Sequence, residues 1–233
     1  MALTDQEIFQ TARRELFSAV IGDVMDTIGL QKQFLPPAII PLDRSMVVCG
    51  RAMTVVEADI DESGISEATT TATDDPNLVR PFGLMMDALD DLKTDEVYIC
   101  TGASPTYALW GELMSVRAIK CGAAGAVVDG YSRDTRGVLA LGFSLFSRGS
   151  YAQDQGPRGK VIDFRVPIQI GQARVAPGDV IFGDLDGVCV VPSLAEQEVF
   201  RLALEKARKE KTVRKALEEG MPSKTAFEKY GIL

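Results

Sequence analysis

Two apolar runs separated by one helix-length segment constrain the fold of this chain more than any other feature. Residues 97–100, inside E-V-Y-I-C-T, and 126–128, inside G-A-A-G-A-V-V-D-G, are short and continuously apolar, as strands buried on both faces are. Between them, residues 113–119 read as a helix that starts after Gly111 and runs to about Lys120. Strand, helix, strand is a βαβ unit, which commits its strands to a parallel sheet with a right-handed crossover.

The rest of the pattern builds around that unit. Thr4 and Glu7 form a capping box that opens a helix to about Leu16. Ser18 reads as the cap of a second helix, with Val20, Ile21, Val24 and Ile28 on its apolar face and Gly29 at its end. Pro36-Pro37 and Pro41 make a rigid crossing to strands at 46–49 and 52–57. Residues 58–80, rich in Asp, Glu and Thr, read as a surface loop, with a substrate lid as the alternative. A helix is expected near 82–92, a short one at 135–140 and a strand at 144–146. Short strands then fall at 161–164, 167–170, 175, 180–183 and 188–191, with turns at Pro177-Gly178-Asp179 and Asp186-Gly187. Ser193 and Glu196 read as a second capping box, opening a long helix to about Glu219 that Gly220 and Pro222 stop. No repeat or linker divides the chain, so 1–233 is expected to be one α/β domain with layered sheets.

The chain contains no histidine. That excludes His-dependent hydrolase triads, imidazole bases and His-ligated zinc. Any metal would be held by oxygen, which favours a hard ion such as Mg²⁺ or Mn²⁺. Cys49, Cys100, Cys121 and Cys189 lack zinc-ligand spacing and are expected to be buried, reduced thiols. With 33 acidic against 25 basic residues the net charge is −8, so no nucleic-acid partner is expected. The basic stretch 208–215 is interleaved with acids at Glu205, Glu210 and Glu218 and reads as an ion-paired helix face. No apolar run reaches the roughly 18 residues that span a bilayer, so no membrane partner is expected. The amino terminus M-A-L-T-D-Q-E is acidic and unlike a targeting peptide, making a cytoplasmic location the default expectation.

Two places suit chemistry. The strand at 126–128 ends on Asp129-Gly130, and the turn beyond it presents Arg133 beside Asp134. An adjacent cation and carboxylate there suit a substrate anion and a metal held side by side. The same pair also reads as a surface ion pair capping the next helix. The second place is the helix start at Gly111, where unpaired amides at 111–114 make a cradle for a carboxylate and Glu112 adds an acid. Taken alone, a glycine there more often serves packing than binding. Both places follow carboxyl ends of neighbouring strands and should open at one sheet edge. Tyr107 and Trp110 would line the site or pack in the core, while Asp184 and Asp186 read as turn acids rather than a second metal site. Asp23 and Asp26, three apart on one helix, read as solvated or helix-end partners.

The stretch W-G-E-L-M-S-V-R-A-I-K-C-G-A-A-G-A-V-V-D-G-Y-S-R-D at 110–134 resembles the RraA-like family, which includes class II pyruvate aldolases acting on 4-hydroxy-4-methyl-2-oxoglutarate and 4-carboxy-4-hydroxy-2-oxoadipate. The resemblance extends through S-A-V-I-G-D-V-M-D-T-I-G, G-R-A-M-T-V, L-G-F-S-L-F-S-R-G and P-G-D-V-I-F-G-D-L-D-G-V-C-V-V-P. It implies a layered α/β/β fold similar to a swivelling phosphohistidine domain, in homotrimers or homohexamers with sites between subunits. The helix at 193–219 would then pack on a neighbour. By resemblance Asp134 is the metal-ligating aspartate, Arg133 the enolate-stabilising arginine and Glu112 an acid holding the metal through water. The amides of Leu113 and Met114, opened by Gly111, would bind the pyruvyl carboxylate. A glutamate from the neighbour's last helix would complete the site, with Glu210 the best match. One departure stands out: the acid often found three residues after the aspartate is here Gly137.

The expected activity is a divalent-metal-dependent lyase that cleaves a 4-hydroxy-2-oxo acid to pyruvate and a second carbonyl compound through a metal-stabilised enolate. Oxaloacetate decarboxylation is the expected side activity, because loss of CO₂ leaves the same enolate. A Lewis acid and a guanidinium on one oxygen supply that stabilisation without a Schiff base or histidine. The alternative from the same resemblance is a non-catalytic regulator that binds a ribonuclease, although members of that kind lack the aspartate present here as Asp134. A methyltransferase is not expected, since no glycine-rich nucleotide loop follows a first strand.

Overall fold

The computed structural model describes residues 4–60 and 82–232, and the expected loop at 58–80 falls outside them beyond its first residues. Helices α1 (Asp5–Glu15) and α2 (Ser18–Thr27) lead to β1 (Ile40–Pro41) and the long strand β2 (Val48–Asp59). Then follow α3 (Met85–Asp90), β3 (Glu96–Thr101), β4 (Ala108–Trp110), α4 (Glu112–Cys121), β5 (Gly125–Val128), β6 (Tyr131–Ser132), α5 (Thr135–Leu141) and β7 (Leu145–Ser147). The chain continues through β8 (Gly159–Phe164), β9 (Ile168–Ile170), β10 (Ala173–Val175), β11 (Val180–Asp184) and β12 (Gly187–Val191), and closes with α6 (Glu196–Glu218) and α7 (Ser223–Tyr230).

The main sheet runs β1-β7-β5-β3-β2-β11-β12, with β8 on the distal half of β2. Strands β2, β3, β5 and β7 are parallel neighbours, and α4 crosses from β3 to β5 as the βαβ reading requires. Edge strand β1 also approaches β11 and β12, so the mixed α/β sheet curls into a nearly closed barrel. Val97, Ile99, Val127, Phe146, Ile181 and Val190 fill its interior. Alternate residues of the same strands point outward: Tyr98, Cys100, Ala126 and Val128 meet α3, α4 and α5 on one flank. Phe182, Cys189 and Val191 meet α1, α2 and α6 on the other.

Local chemistry explains where the boundaries depart from expectation. The Thr4–Glu7 capping box forms. Ser18, by contrast, is the first residue of α2 rather than its cap; its amide and hydroxyl both donate to Asp184, at 2.7 and 2.6 Å. Asp184 thus places a carboxylate at a helix N-terminus, where the dipole favours it. The Ser193–Glu196 box does not form, because Glu196 is drawn to Arg51 and the Ser193 amide to Asp179. Residues 46–59 hold one strand rather than two, with a shift in register against β8 at Val56/Glu57. Helix α7 lies beyond the Gly220–Pro222 stop and was not expected. Cys49, Cys100 and Cys189 are buried free thiols; burial pushes Cys49 up to about 12, so it stays a neutral packing group.

Candidate active site

Two very short strands bring the Gly111 and Arg133 regions together. β4 pairs in parallel with β6, Trp110 opposite Ser132, and the Arg133 amide donates to the Trp110 carbonyl at 2.8 Å. On the other side of β6, Ser132 N donates to the Gly149 carbonyl and Tyr151 N to the Ser132 carbonyl. These three segments follow β3, β5 and β7, so all emerge at the carboxyl edge of the parallel strands. Trp110 anchors the arrangement from below: it is 1% exposed, donates Nε1 to Ser115 Oγ at 2.8 Å and stacks on Phe143. Tyr107 is equally buried and donates its hydroxyl to Asp59 at 2.7 Å. Both rings are therefore core, not lining.

Asp134 adopts φ 56° and ψ 32°, a left-handed conformation that aspartate tolerates better than most residues. It sits at the N-cap position of α5 without capping it; Oδ2 instead accepts from the Glu112 amide at 3.3 Å. Arg133 Nε lies 3.8 Å from that same oxygen, too far for a hydrogen bond. The two side chains are 38% and 46% exposed, so they face one another on an open surface. The closer partner of Arg133 is Asp154, whose Oδ1 lies 2.7 Å from Nη1.

Helix α4 begins at Gly111 with no side-chain cap, and Ser115 N turns back to the Gly111 carbonyl. The amides of Leu113 and Met114 have no acceptor among the described residues, leaving two unpaired donors at the positive end of the helix. A Cβ at Gly111 would sit 2.7 Å from Asp134 Oδ2 and 3.7 Å from Arg133 Nε, so a side chain there would press on the Asp134 carboxylate. A Cβ at Gly137 would overlap the Glu112 carboxylate, which occupies the space a side chain there would take. The Asp134 carboxylate beside Gly111 and the Glu112 carboxylate beside Gly137 offer hard oxygens, a donor set of the kind that suits Mg²⁺ or Mn²⁺. Among the described residues no three acids or thiols converge into a metal cage, so the remaining ligands would be water, substrate or another subunit.

A model of the RraA-like family, described as Aldolase/RraA, matches residues 18–190. The chain belongs to the RraA-like family. A Halalkalibacterium halodurans relative named "Putative 4-hydroxy-4-methyl-2-oxoglutarate aldolase" is 32% identical over 219 residues, covering 94% of this chain and 93% of that one. A crystal structure of an uncharacterized Pseudomonas syringae protein superposes with TM-score 0.82 at 23% identity, covering 99% and 96% of the two chains. The structure of Streptomyces coelicolor RraAS2, described as an unusual member of the RNase ES inhibitor RraA protein family, gives TM-score 0.74 at 23% identity over 92% and 98%. At these identities the two structures speak for the RraA-like fold alone.

Of the residues singled out in the sequence, Gly111, Glu112, Leu113, Met114, Arg133 and Asp134 share this one surface. Glu210 does not join them. It lies on α6, across the barrel from α4 and α5, with Lys206 Nζ 4.0 Å away, so only another copy of the chain could bring it to Asp134. Asp129 is held by Thr101 and Arg148 at the strand ends. Asp184 caps α2, and Asp23 pairs with Lys206. Sequence reasoning passed over Asp154, because nothing in Y-A-Q-D-Q-G marks one aspartate as facing Arg133.

Proposed function

We propose that this chain is a divalent-metal-dependent lyase that releases pyruvate from a 4-hydroxy-2-oxo acid. One observation carries the reading: the β4–β6 ladder sets unpaired amides, a guanidinium and an exposed carboxylate on one surface beside Gly111. The relative named as an aldolase supports the same chemistry. In this reading the Leu113 and Met114 amides receive the substrate carboxylate, and Arg133 aims its guanidinium at the 2-oxo oxygen, where negative charge grows. Asp134, with Glu112 through water, would hold Mg²⁺ or Mn²⁺. Once bound, the ion would polarise the 2-oxo group as a Lewis acid.

The bond change needs a proton carrier. The C4 hydroxyl loses its proton, the C4 oxygen becomes a carbonyl, and the C3–C4 bond breaks with its electrons passing into the pyruvate enolate. Protonation at C3 then yields pyruvate. In this reading a water carries that proton, oriented by Glu112 or by Glu210 of a neighbouring subunit. Oxaloacetate enters the same scheme, since losing CO₂ leaves the identical enolate. Sites shared between subunits imply a homotrimer or homohexamer, with 193–219 packing on a neighbour.

Pyruvate release from 4-hydroxy-4-methyl-2-oxoglutarate and from oxaloacetate, followed with Mg²⁺, Mn²⁺ or EDTA, tests this. Turnover should require the metal and nearly vanish in Arg133→Ala and Asp134→Ala. Turnover indifferent to EDTA would refute the mechanism. No turnover, together with capture of a ribonuclease, would favour a binding regulator.

A further inference from the structure

The loop after β7 brings one more carboxylate to this surface. Asp154 Oδ1 is 2.7 Å from Arg133 Nη1, against 3.8 Å between Arg133 Nε and Asp134. Half-exposed ion pairs usually hold each other weakly and wander. Here the carboxylate has a set position, because the backbone beneath Asp154 is fixed. Gln155, next along, is 4% exposed and donates Nε2 to buried Glu57 on β2 at 2.7 Å. Ahead of it, the Gln153 carbonyl accepts from the Ala108 amide at the start of β4, at 2.8 Å. Asp154 Oδ2 accepts from the Gly156 amide at 3.2 Å, and the Asp154 carbonyl from Arg158 at 3.0 Å. Strands β2 and β4 therefore set where the carboxylate stands, and the carboxylate sets where the guanidinium points.

We infer that Asp154 is a positioning residue for Arg133, holding its guanidinium on this surface so that Nε faces the Asp134 side while Nη1 is tied down. The inference rests on the lyase reading for its catalytic consequence and on geometry alone for the pairing. Asp154 touches no reacting atom; it acts through Arg133. Gln155 and Glu57 are the pegs that keep it there.

A kinetic cycle and a metal-free measurement test it together. Asp154→Ala should lower kcat on the order of 10²-fold, the scale of a reacting group displaced by about an ångström. KM should not rise, because removing a negative charge does not weaken the hold on an anionic substrate. Asp154→Glu should restore part of kcat. In an Arg133→Ala background, Asp154→Ala should change kcat less than about twofold, since the partner is already gone. Losses that multiply in the double variant would overturn the inference. Independently, with EDTA present and no substrate, NMR of the Arg133 Nε–Hε group should show slowed guanidinium rotation in the native protein and free rotation in Asp154→Ala. Unchanged rotation would overturn the pairing. That readout stands even if the native protein releases no pyruvate, an outcome that removes the lyase reading instead.

Discussion

Arg133 can be altered with little cost to the fold, because its side chain is half exposed and its guanidinium meets only Asp134 and Asp154 among the described residues. Asp134→Ala, by contrast, also carries the cost of a left-handed backbone and loses a bond to the Glu112 amide. Surface substitutions like that at Arg133 usually move stability by no more than about 0.5 kcal/mol. Their effect should fall on turnover. Removing a donor aimed at a developing oxyanion costs ~2.7–4 kcal/mol, so Arg133→Ala should lose about 10²–10³ in kcat at an unchanged melting temperature. Gly137→Ala is the sharper probe. The nearest atoms to its added Cβ belong to the Glu112 side chain, which can turn to another rotamer, so the protein should melt within a degree or two of wild type. Displacing that carboxylate should nonetheless cost at least about tenfold in kcat if Glu112 orients the water that carries the proton. Wild-type activity in Gly137→Ala would remove Glu112 from the mechanism. The Arg133–Asp134 pair and the Gly111 helix start were legible in the sequence because each follows an unmistakable apolar strand. Asp154 was not, because its role arises only when the β7 loop folds back along β6.

Among the elements, β2 buries a carboxyl group, Glu57. Glu57 is 2% exposed; burial pushes its carboxyl up to about 7, a rise that the Gln155 hydrogen bond opposes. Its folded-state value lies above the ordinary 4.5, so the native protein holds this proton more tightly than the unfolded chain. The associated stability is complete below about pH 4.5 and is lost as pH rises through about 7, to a total of about 3 kcal/mol. Urea unfolding at pH 5, 6, 7 and 8 should show this fall in the wild type and its absence in Glu57→Gln. Parallel pH curves for the two proteins would place the proton elsewhere. The βαβ unit was readable because its strands are uninterrupted apolar runs. The β4–β6 ladder was not: strands of three and two residues are too short to show alternation, yet their pairing builds the site. Serine and glutamate at capping spacing also misled at Ser193, where Arg51 and Asp179 offered stronger partners.

At the scale of the molecule, α4 leaves an apolar stripe uncovered beside the site. Leu113 is 82% exposed, Val116 47% and Ile119 44%, while the opposite face of the helix packs Ser115 and Ala118 into the barrel flank. A stripe of this kind on a helix that carries half the site fits a subunit interface, and Glu210 can reach Asp134 only from another copy. Light scattering should find a trimer or hexamer, and Val116→Glu with Ile119→Glu should dissociate it and abolish turnover together. Full activity in a monomer would exclude a shared site. No helix of the described residues is long and apolar enough to cross a membrane.

A crystal structure grown with Mn²⁺ and oxalate, a stable mimic of the pyruvate enolate, examines the site itself. The anomalous peak should lie against the Asp134 carboxylate, with one end of oxalate on the Leu113 and Met114 amides and the other facing Arg133. Manganese bound elsewhere, or oxalate touching none of these groups, would contradict the account.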